Sequence, residues 1–518
     1  MMDGTNARSG IGRRRGVAAN SKSPSTSVIV LAVSFIITSC IILIWLMCFS
    51  MKSSATPKEF SHDGASSNFS VKMKKRSGGN RNNKKVTTNE GIIKITNWSA
   101  GDRNNKQVTT DEDFEEIGRV PRQKGGDNYK EKIAMIFNAE LDLVAIDTDD
   151  IQSTHSDDGS KYSGVKAYFC KLHWDKYKRD PPSLPMFRML VQESVCNKKE
   201  NLFTMDMAEI SRILVERESE EESMGIHVMP PAGFIFHESR VGSTLVANAL
   251  TAMDPDGHRV YSESDPINRA LAACDGFTKC DMETNVNLLR DVVFLMGRTS
   301  DSRETRMFFK VSSVGSKRID VMVQAFEYVP WLFVFRDPVQ TMMSHIDPAK
   351  VGKKAVRGGL SPAVCLRAKR HPPDDMRRLV LNYNPGKRVE ELSDEEFCAA
   401  HLATLCESAL EQMKSTRAVA LQGAAVEYDG LVDKLIQEVF PKHFTMDIDE
   451  AARQRILDVS KIYSKSGGHD KDWEDDSKRK DTGSTPAIAR ASEQYLTKSY
   501  IELKKHCKYD RAWHYVYT

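Results

Sequence analysis

The stretch GFIFHESRVGSTLVANAL, Gly233 to Leu250, decides the fold of this chain. An apolar run rich in aromatic residues, Phe234 to Phe236, leads into a short polar loop, and apolar residues at helical spacing follow from Thr244. A strand, a glycine-containing loop and a helix in this order form a phosphate site, because the loop amides and the helix N-terminus attract an anion. The stretch therefore predicts a binding site for a phosphorylated ligand.

The loop differs from the phosphate loop of ATP and GTP enzymes, which has the form G-x-x-x-x-G-K-[ST]. His237 stands where the first glycine belongs, and Ser243 stands where the lysine belongs. A nucleotide-dependent kinase needs that lysine and acidic ligands for Mg²⁺. A kinase is therefore an alternative for which this sequence lacks the phosphate-loop lysine.

Strand and helix patterns continue after the loop and favour an α/β fold, with a P-loop-type parallel sheet flanked by helices. Arg306 to Ser313 and Trp331 to Arg336 are predicted as strands, and Ser316 to Val329 is predicted as a helix. Asp337 and Pro338 are typical of the N-cap and the first turn of the next helix. The other predicted elements are a strand-to-helix transition at Ala424–Phe440 and covering helices at Asp394–Met413 and Pro486–Lys505.

Two groups of polar residues are suited to hold two separate phosphate groups. In the loop, Arg240 supplies a fixed charge and Gly242 lets the backbone approach an anion. The second group begins at Arg336, at the end of a predicted buried strand, and includes Ser344, eight residues further on. The loop residues predicted to bind the ligand are Arg240, Val241, Gly242, Ser243 and Thr244.

Both groups resemble motifs of the sulfotransferases that use 3′-phosphoadenosine 5′-phosphosulfate. In that family a [KR]-x-G-[ST]-[ST] loop follows a strand, and an R-D-P/G-x5-S motif follows later. The resemblance extends loosely over 233–500 and is not seen in 1–229. It implies that Arg240 contacts the 5′-phosphosulfate and that Arg336 and Ser344 hold the 3′-phosphate. The implied co-substrate is this nucleotide, with no metal expected.

The resemblance also implies catalytic roles for Arg240, Lys310 and Glu263. Lys310 lies near the place where tyrosylprotein and cytosolic sulfotransferases keep a lysine that stabilises the bridging oxygen. Glu263 follows Arg240 by 23 residues, which is close to the spacing of the catalytic glutamate in tyrosylprotein sulfotransferases. Glu263 is therefore the predicted general base, which must lie within hydrogen-bond reach of the acceptor hydroxyl. The alternative bases are Asp265, Glu238 and His237.

A basic segment near the C-terminus, Asp475 to Pro486, resembles the segment with which the family often closes the nucleotide site. Lys478 and Arg479 are predicted to bind the nucleotide, and Lys480 is a further candidate. The chain departs from the cytosolic branch, whose K-T-H triplet is replaced by KVS at 310–312. A histidine base is therefore not expected there.

The N-terminal part has the composition of a membrane anchor and a stem. Val28 to Phe49 contains no charged residue and is long enough to cross the ~30 Å core of a bilayer, whereas the apolar region of a signal peptide, the alternative, is usually shorter. Lys and Arg are denser before this segment than after it, which predicts a cytosolic N-terminus. The prediction is a single-pass type II Golgi membrane protein with a tail at 1–27, an anchor at 28–49, a flexible lumenal stem at 50–130 and a lumenal catalytic domain at 131–518.

Two further features favour a lumenal location. Glycosylation sequons begin at Asn68 and Asn97. Of the ten cysteines, eight lie outside the predicted anchor, and eight cysteines allow 105 pairings. Short sequence separations make Cys170 with Cys196 and Cys274 with Cys280 the first predicted disulfides, whereas the alternative is that several cysteines are buried thiols.

The predicted function is transfer of a sulfonate group from 3′-phosphoadenosine 5′-phosphosulfate to a glycan hydroxyl. The glutamate spacing keeps a tyrosylprotein sulfotransferase as the first alternative, ahead of a lumenal kinase or an inactive Golgi protein of the same fold. The expected partners are a glycan or protein hydroxyl acceptor, the membrane and a possible homodimer. A net charge of only +3, with basic runs outside aromatic surroundings, argues against nucleic acid.

Overall fold

The computed structural model of the chain describes residues 127–154, 161–216, 225–275, 280–347, 363–415, 422–464, 472, 474–507 and 509. The strands are β1 (Asp142–Asp147), β2 (Gln152–Ser153), β3 (Tyr162–Ser163), β4 (Lys166–Cys170), β5 (Phe203–Asp206), β6 (His227–Val228), β7 (Pro231–His237), β8 (His258–Ser262), β9 (Arg298–Thr299), β10 (Arg306–Lys310), β11 (Trp331–Phe335) and β12 (Gly423–Glu427).

The α-helices are α1 (Asp127–Phe137), α2 (Trp174–Arg179), α3 (Phe187–Glu193), α4 (Met207–Glu216), α5 (Ser243–Met253), α6 (Asp265–Ala272), α7 (Met282–Gly297), α8 (Ile319–Ala325), α9 (Pro338–Ile346), α10 (Asp374–Tyr383), α11 (Asp394–Lys414), α12 (Leu431–Lys434), α13 (Glu450–Ser460), α14 (Ser477–Thr482), α15 (Pro486–Tyr495) and α16 (Thr497–Lys505). Short 3₁₀ helices occupy Lys199–Asn201, Val314–Arg318, Val364–Arg370 and Val389–Glu391, and a π-helix occupies Leu435–His443.

Within the described residues, five parallel strands form the central sheet in the order β12-β11-β7-β10-β8. Their sequences are continuous apolar runs, and every residue of β8 and β11 is buried. Such runs are typical of parallel strands that helices cover on both faces. The predicted α/β fold with a parallel sheet flanked by helices is confirmed.

Most of the predicted elements appear with shifted ends. Strand β10 ends at Lys310, earlier than predicted, and β11 ends at Phe335. The predicted N-cap is confirmed, because the Asp337 side chain accepts a hydrogen bond from the Gln340 amide at 3.1 Å. The helix predicted over 316–329 is divided into a 3₁₀ turn and α8, and the last predicted helix is divided at Leu496 into α15 and α16.

A second, antiparallel sheet with the strand order β1-β4-β5 lies beside β8. Arg259 of β8 connects the two sheets, since its guanidinium donates to Asp142 at 3.2 Å and to the buried carboxylate of Glu304. The ring of Trp174 lies edge-on against Tyr261, with 5.1 Å between the ring centroids. These contacts fix the strand that ends immediately before Glu263.

The structure contains both predicted disulfides, Cys170–Cys196 and Cys274–Cys280. A third disulfide, Cys365–Cys398, joins the turn before α10 to α11 and was not predicted. In the described part of the chain, Cys406 and Cys507 are thiols, so only some of the eight cysteines are paired.

The predicted Golgi membrane localisation by a single-pass anchor is contradicted. In the described ranges no helix combines the length and the apolar character needed to cross a membrane. The longest of these helices, α11, begins with Asp394, Glu395 and Glu396. The segment predicted as the anchor, 28–49, lies outside the described residues, as do the predicted tail, both sequons and most of the predicted stem.

Candidate active site

The polar and charged residues of the candidate site lie at the edge of the central sheet where its strands have their carboxyl ends. Ligands of open α/β sheets bind at this edge. Taken in sheet order from β12 to β8, the edge carries Tyr428, Arg336, the loop 238–242, Lys310 and Glu263. The two predicted phosphate motifs are therefore neighbours in space, although about one hundred residues separate them in the sequence.

The loop after β7 has an unusual backbone. Ser239 and Arg240 adopt positive φ angles of 92° and 62°, and Gly242 adopts 86°. A side chain at Gly242 would also bring a Cβ atom to 2.7 Å from the Tyr428 ring. Glycine is therefore required there for two reasons, the positive φ angle and the lack of space. Positive φ costs a residue other than glycine about 1–3 kcal/mol, and such strain concentrates at ligand-binding sites.

Helix α5 begins directly after this loop, at Ser243. The first amides of a helix have no partner within the helix, and Gly242 provides no side-chain cap, so the helix N-terminus is suited to hold an anion. The hydroxyl residues Ser243 and Thr244 are buried, whereas Arg240 is exposed. Val241 is fully buried and offers the ligand only its backbone. All five predicted loop residues thus lie at one helix N-terminus.

Lys310 and Glu263 form an ion pair at the ends of adjacent strands. The pairing follows from the register, because Lys310 lies opposite Ser262 and its carbonyl accepts the Glu263 amide at 2.6 Å. The side chain of Lys310 is almost completely buried, whereas 26% of the Glu263 side chain is exposed. The carboxylate is therefore the member of the pair that a ligand can reach.

His237 completes this cluster at the end of β7. Its Nε2 lies 3.8 Å from the Glu263 carboxylate, and its Nδ1 accepts the Ser239 amide at 3.1 Å. Burial alone would raise the pKa of Glu263, but the charge of Lys310, and after it that of His237, lowers this pKa to about 2. Glu263 also has a positive φ of 55°. Glu263 therefore carries an ionised carboxylate on a strained backbone. This carboxylate stays a weak base while Lys310 remains its partner.

The alternative bases are placed differently. Asp265 binds Arg269 at 2.9 Å and the Ile146 amide at 3.3 Å, so it connects α6 to β1. Glu238 is buried, and its carboxyl accepts the Arg336 amide at 3.3 Å. Both carboxyl groups support the structure around the site. Of these three carboxyl groups, that of Glu263 is the one that is partly exposed and paired with Lys310.

Arg336 leaves the end of β11 and is 4% exposed. Its guanidinium stacks on the Tyr428 ring, with 4.1 Å between the guanidinium carbon and the ring centroid. Its Nε donates to Gln340 at 2.8 Å, and one terminal nitrogen donates to Ser477 at 2.8 Å and to Asp476 at 3.3 Å. The guanidinium is therefore held in one orientation and has the Asp476 carboxylate as its anionic partner.

The predicted partner Ser344 lies on α9, about two turns beyond Arg336. Its hydroxyl donates to the Gln340 carbonyl at 2.8 Å and is half-buried. Ser344 and Arg336 are thus connected through Gln340, which bonds to both. A hydroxyl oxygen that donates one hydrogen bond retains lone pairs for accepting, but to bind phosphate Ser344 would have to redirect its proton.

The predicted basic segment forms helix α14, which packs against α9. Arg479 donates to Asp347 at 3.0 Å and to Asp476 at 3.4 Å, and Lys478 is exposed. The structure places this segment beside Arg336, where an aspartate and a serine of the segment, and not its predicted basic residues, make the direct contacts.

A cavity of about 530 Å³ opens beside these residues. Its lining includes Leu245 of α5, Arg336, Tyr428 and Ser477. It therefore borders the motif at Arg336, helix α5 just after the loop, and the segment from the C-terminal part of the chain. A cavity of this size falls within the range that holds small molecules and cofactors.

Several residues of the site were missed by sequence reasoning. Tyr428 had a usable signal, because it directly follows a predicted strand. The others lack a motif and are recognised only by their contacts with Arg336; they are Gln340, Asp476 and Ser477.

Glu238 gives a prediction about stability. Burial raises the pKa of its carboxyl to about 8. The unfolded chain releases this proton near the ordinary value of 4.5, so folding becomes less favourable as the pH rises from about 4.5 towards 8. We expect Glu238→Gln to remove this loss and to gain about 2–4 kcal/mol over the wild type between pH 5 and pH 8, as measured by urea unfolding.

The exposed carboxylate of Glu209 provides the matched control, and Glu209→Gln should keep the pH dependence of the wild type. If the unfolding free energies of Glu238→Gln and the wild type changed in parallel between the two pH values, Glu238 would not be a neutral buried acid.

No protein-family model and no curated protein matches the chain. Several solved structures match it. Sulfotransferase STF9 from Mycobacterium avium is 11% identical with a TM-score of 0.32, over 59% of this chain and 86% of that chain. The sulfotransferase from Alicyclobacillus acidocaldarius is 14% identical with a TM-score of 0.28, over 55% and 98%. The sulfotransferase domain of the Synechococcus PCC 7002 olefin synthase is 14% identical with a TM-score of 0.25, over 55% and 97%. All three are sulfotransferases, but likeness of this size assigns no family to this chain.

Proposed function

We propose that this chain transfers a sulfonate group from 3′-phosphoadenosine 5′-phosphosulfate to a hydroxyl group of a glycan. The observation that carries the proposal is the order of groups along one sheet edge. Arg336, the helix N-terminus after the loop, Lys310 and Glu263 follow adjacent strands. Strands lie about 4.8 Å apart, so these four groups extend over roughly 14 Å.

This order matches the chemistry of the donor from end to end. A 3′-phosphate needs a fixed, bidentate cation, which Arg336 offers. The 5′-phosphosulfate needs backbone amides and a positive helix terminus, which the loop and α5 offer. The oxygen that bridges phosphorus and sulfur gains negative charge as its bond to sulfur breaks. Lys310 is the buried cation at the end of the next strand in the sheet.

The reaction requires one proton acceptor. The acceptor oxygen attacks sulfur, the bond between sulfur and the bridging oxygen breaks, and the electron pair remains on the nucleotide product. The acceptor proton passes to the Glu263 carboxylate. Lys310 changes partner from Glu263 to the bridging oxygen when the donor binds, and the loss of that cation raises the pKa of Glu263 and makes it a better base.

The exposed fraction of Glu263 leaves room for a hydroxyl to approach from solvent. A glycan hydroxyl is the first choice. A protein tyrosine is the second, because Glu263 follows Arg240 at nearly the spacing found in tyrosylprotein sulfotransferases.

Lys310 provides a test of leaving-group stabilisation. We expect Lys310→Met to lower kcat by about 10²-fold while the affinity for 3′-phosphoadenosine 5′-phosphate changes much less, because the cation acts mainly on charge that develops in the transition state. Single-turnover kinetics and isothermal titration measure the two quantities. An unchanged kcat in a folded variant would make Lys310 a structural residue.

The proposed function is tested by incubating the purified full-length chain with ³⁵S-labelled 3′-phosphoadenosine 5′-phosphosulfate and a panel of glycans and tyrosine peptides. Labelled ATP with a γ-³²P group is the parallel arm for a kinase. Transfer of ³⁵S to a glycan supports the proposal, and transfer to a tyrosine peptide alone favours the second choice. Transfer of ³²P, or no binding of 3′-phosphoadenosine 5′-phosphate, would overturn it.

A further inference from the structure

Three cations converge on one carboxylate beside the proposed 3′-phosphate position. The Asp476 carboxylate lies 2.7 Å from Lys480, 3.3 Å from Arg336 and 3.4 Å from Arg479. The side chains of Arg336 and Lys480 are only 4% and 5% exposed. Two nearly buried cations thus meet at one carboxylate, and such a concentration of positive charge is the environment that a doubly charged phosphate group prefers.

The backbone position of Asp476 does not explain its orientation. Asp476 is the N-cap residue of α14, where an aspartate normally accepts a hydrogen bond from the first turn of its helix. Its side chain makes no such bond, and it points at the cations instead. Burial raises the pKa of Asp476, but the hydrogen bond and charge of Lys480 and the charge of Arg336 lower it below its ordinary value.

A phosphate and this carboxylate cannot occupy the same donors. The Nε of Arg336 already donates to Gln340 and one face of its guanidinium stacks on the Tyr428 ring, so its terminal nitrogens are the groups left for a ligand. One of them donates to Asp476 and Ser477. An arriving 3′-phosphate would meet like charge there, because Asp476 is ionised.

We propose that Asp476 is a built-in anion that occupies the 3′-phosphate position of Arg336 and determines how strongly the site favours a 3′-phosphate over a 3′-hydroxyl. A 3′-phosphate displaces the carboxylate, whereas a nucleotide with a 3′-hydroxyl leaves it in place. The inference rests on the proposed function, because it assigns the 3′-phosphate to Arg336.

Displacement requires only a side-chain rotation. Helix α14 stays attached to α9 through Gln340, which donates to Asp481 at 3.0 Å, and through the bond from Arg479 to Asp347. The Asp476 side chain is about one third exposed, so the displaced carboxylate can turn towards solvent.

The test compares 3′-phosphoadenosine 5′-phosphate with adenosine 5′-monophosphate by isothermal titration of the full-length wild type and of Asp476→Asn, a variant of nearly the same shape. We expect the variant to bind the 3′-phosphorylated nucleotide at least tenfold more tightly, and to bind adenosine 5′-monophosphate within threefold of the wild type. Asp476→Ala should give the same pattern and guards against a special effect of the amide.

Glu474→Gln is the matched control, since this exposed carboxylate lies only two residues before Asp476. It removes the same charge and should change either affinity by less than threefold. Equal affinities of the wild type and both Asp476 variants would overturn the inference alone, as would equal tightening for both nucleotides. If neither wild type nor variant bound the 3′-phosphorylated nucleotide, the proposed function would fail and the inference with it.

Discussion

Glu263→Gln is expected to lower kcat by about 10²–10⁴-fold while nucleotide affinity stays nearly unchanged. The substitution keeps the shape of the side chain and a hydrogen-bond acceptor for Lys310, but removes the basic carboxylate that takes the acceptor proton. Single-turnover kinetics with the labelled donor measure the chemical step. Isothermal titration with 3′-phosphoadenosine 5′-phosphate checks that the nucleotide site is intact.

Asp265→Asn is the control for this prediction, because Asp265 lies two residues away and bonds to Arg269 and Ile146. Its loss should affect the stability of the α6 region more than the chemical step. The reverse result, an active Glu263→Gln enzyme and a folded but inactive Asp265→Asn enzyme, would transfer the role of base to Asp265.

The resting pKa of Glu263 adds a pH criterion. The pKa of about 2 keeps the carboxylate ionised in the free chain, and its ion pair contributes stability above the ordinary value of 4.5 that is lost as the pH falls towards 2. If donor binding removes Lys310 from the carboxylate, the acidic limb of kcat should lie at higher pH than the acidic limb of kcat/KM. Glu263→Gln should abolish both limbs.

The sequence was informative wherever a local rule governs the structure. The strand, loop and helix around Gly242, the N-cap at Asp337 and the Cys274–Cys280 disulfide all follow from residues that are close in the chain. Glycine conformations, helix caps and short disulfide loops are local effects, so a sequence pattern can represent them.

The features of the site that the sequence did not predict depend on the order of strands and on contacts between distant residues. No local pattern states that β10 lies between β7 and β8, yet this order brings Lys310 to Glu263. Arg336 and Asp476 are 140 positions apart, and their contact depends on how α14 packs against α9. The sequence therefore predicted that the basic residues of this segment bind a phosphate, whereas the structure places Asp476 of the same segment in direct contact with Arg336.

Dependence on contacts between distant residues also explains why the cysteine count predicted only some of the disulfides. Cys365 and Cys398 are separated by 33 positions, and nothing in their spacing distinguishes this pair from other pairings. Cys406 follows Cys398 by about two turns of the same helix, α11, but it is buried beside Glu238 and remains a thiol. The packing of α11 against its neighbours therefore decides which cysteines meet.

Arg336→Ala is expected to weaken binding of 3′-phosphoadenosine 5′-phosphate by about 2–5 kcal/mol, because a buried, hydrogen-bonded cation is removed from a phosphate. The substitution also removes the stacking on Tyr428 and leaves Asp476 facing the incoming phosphate with one cation fewer. Isothermal titration with this nucleotide and with adenosine 5′-monophosphate measures the effect. The affinity for the second nucleotide should change much less, since it has no 3′-phosphate.

Two further variants separate the charge of Arg336 from its geometry. Arg336→Lys keeps the charge but cannot form a planar fork or the same stacking, so its affinity should lie between those of the wild type and Arg336→Ala. Ser344→Ala should lose less than either, because one neutral hydroxyl contributes less than a guanidinium. If Arg336→Ala weakened both nucleotides equally, the arginine would support the fold of the cavity and would not read the 3′-phosphate.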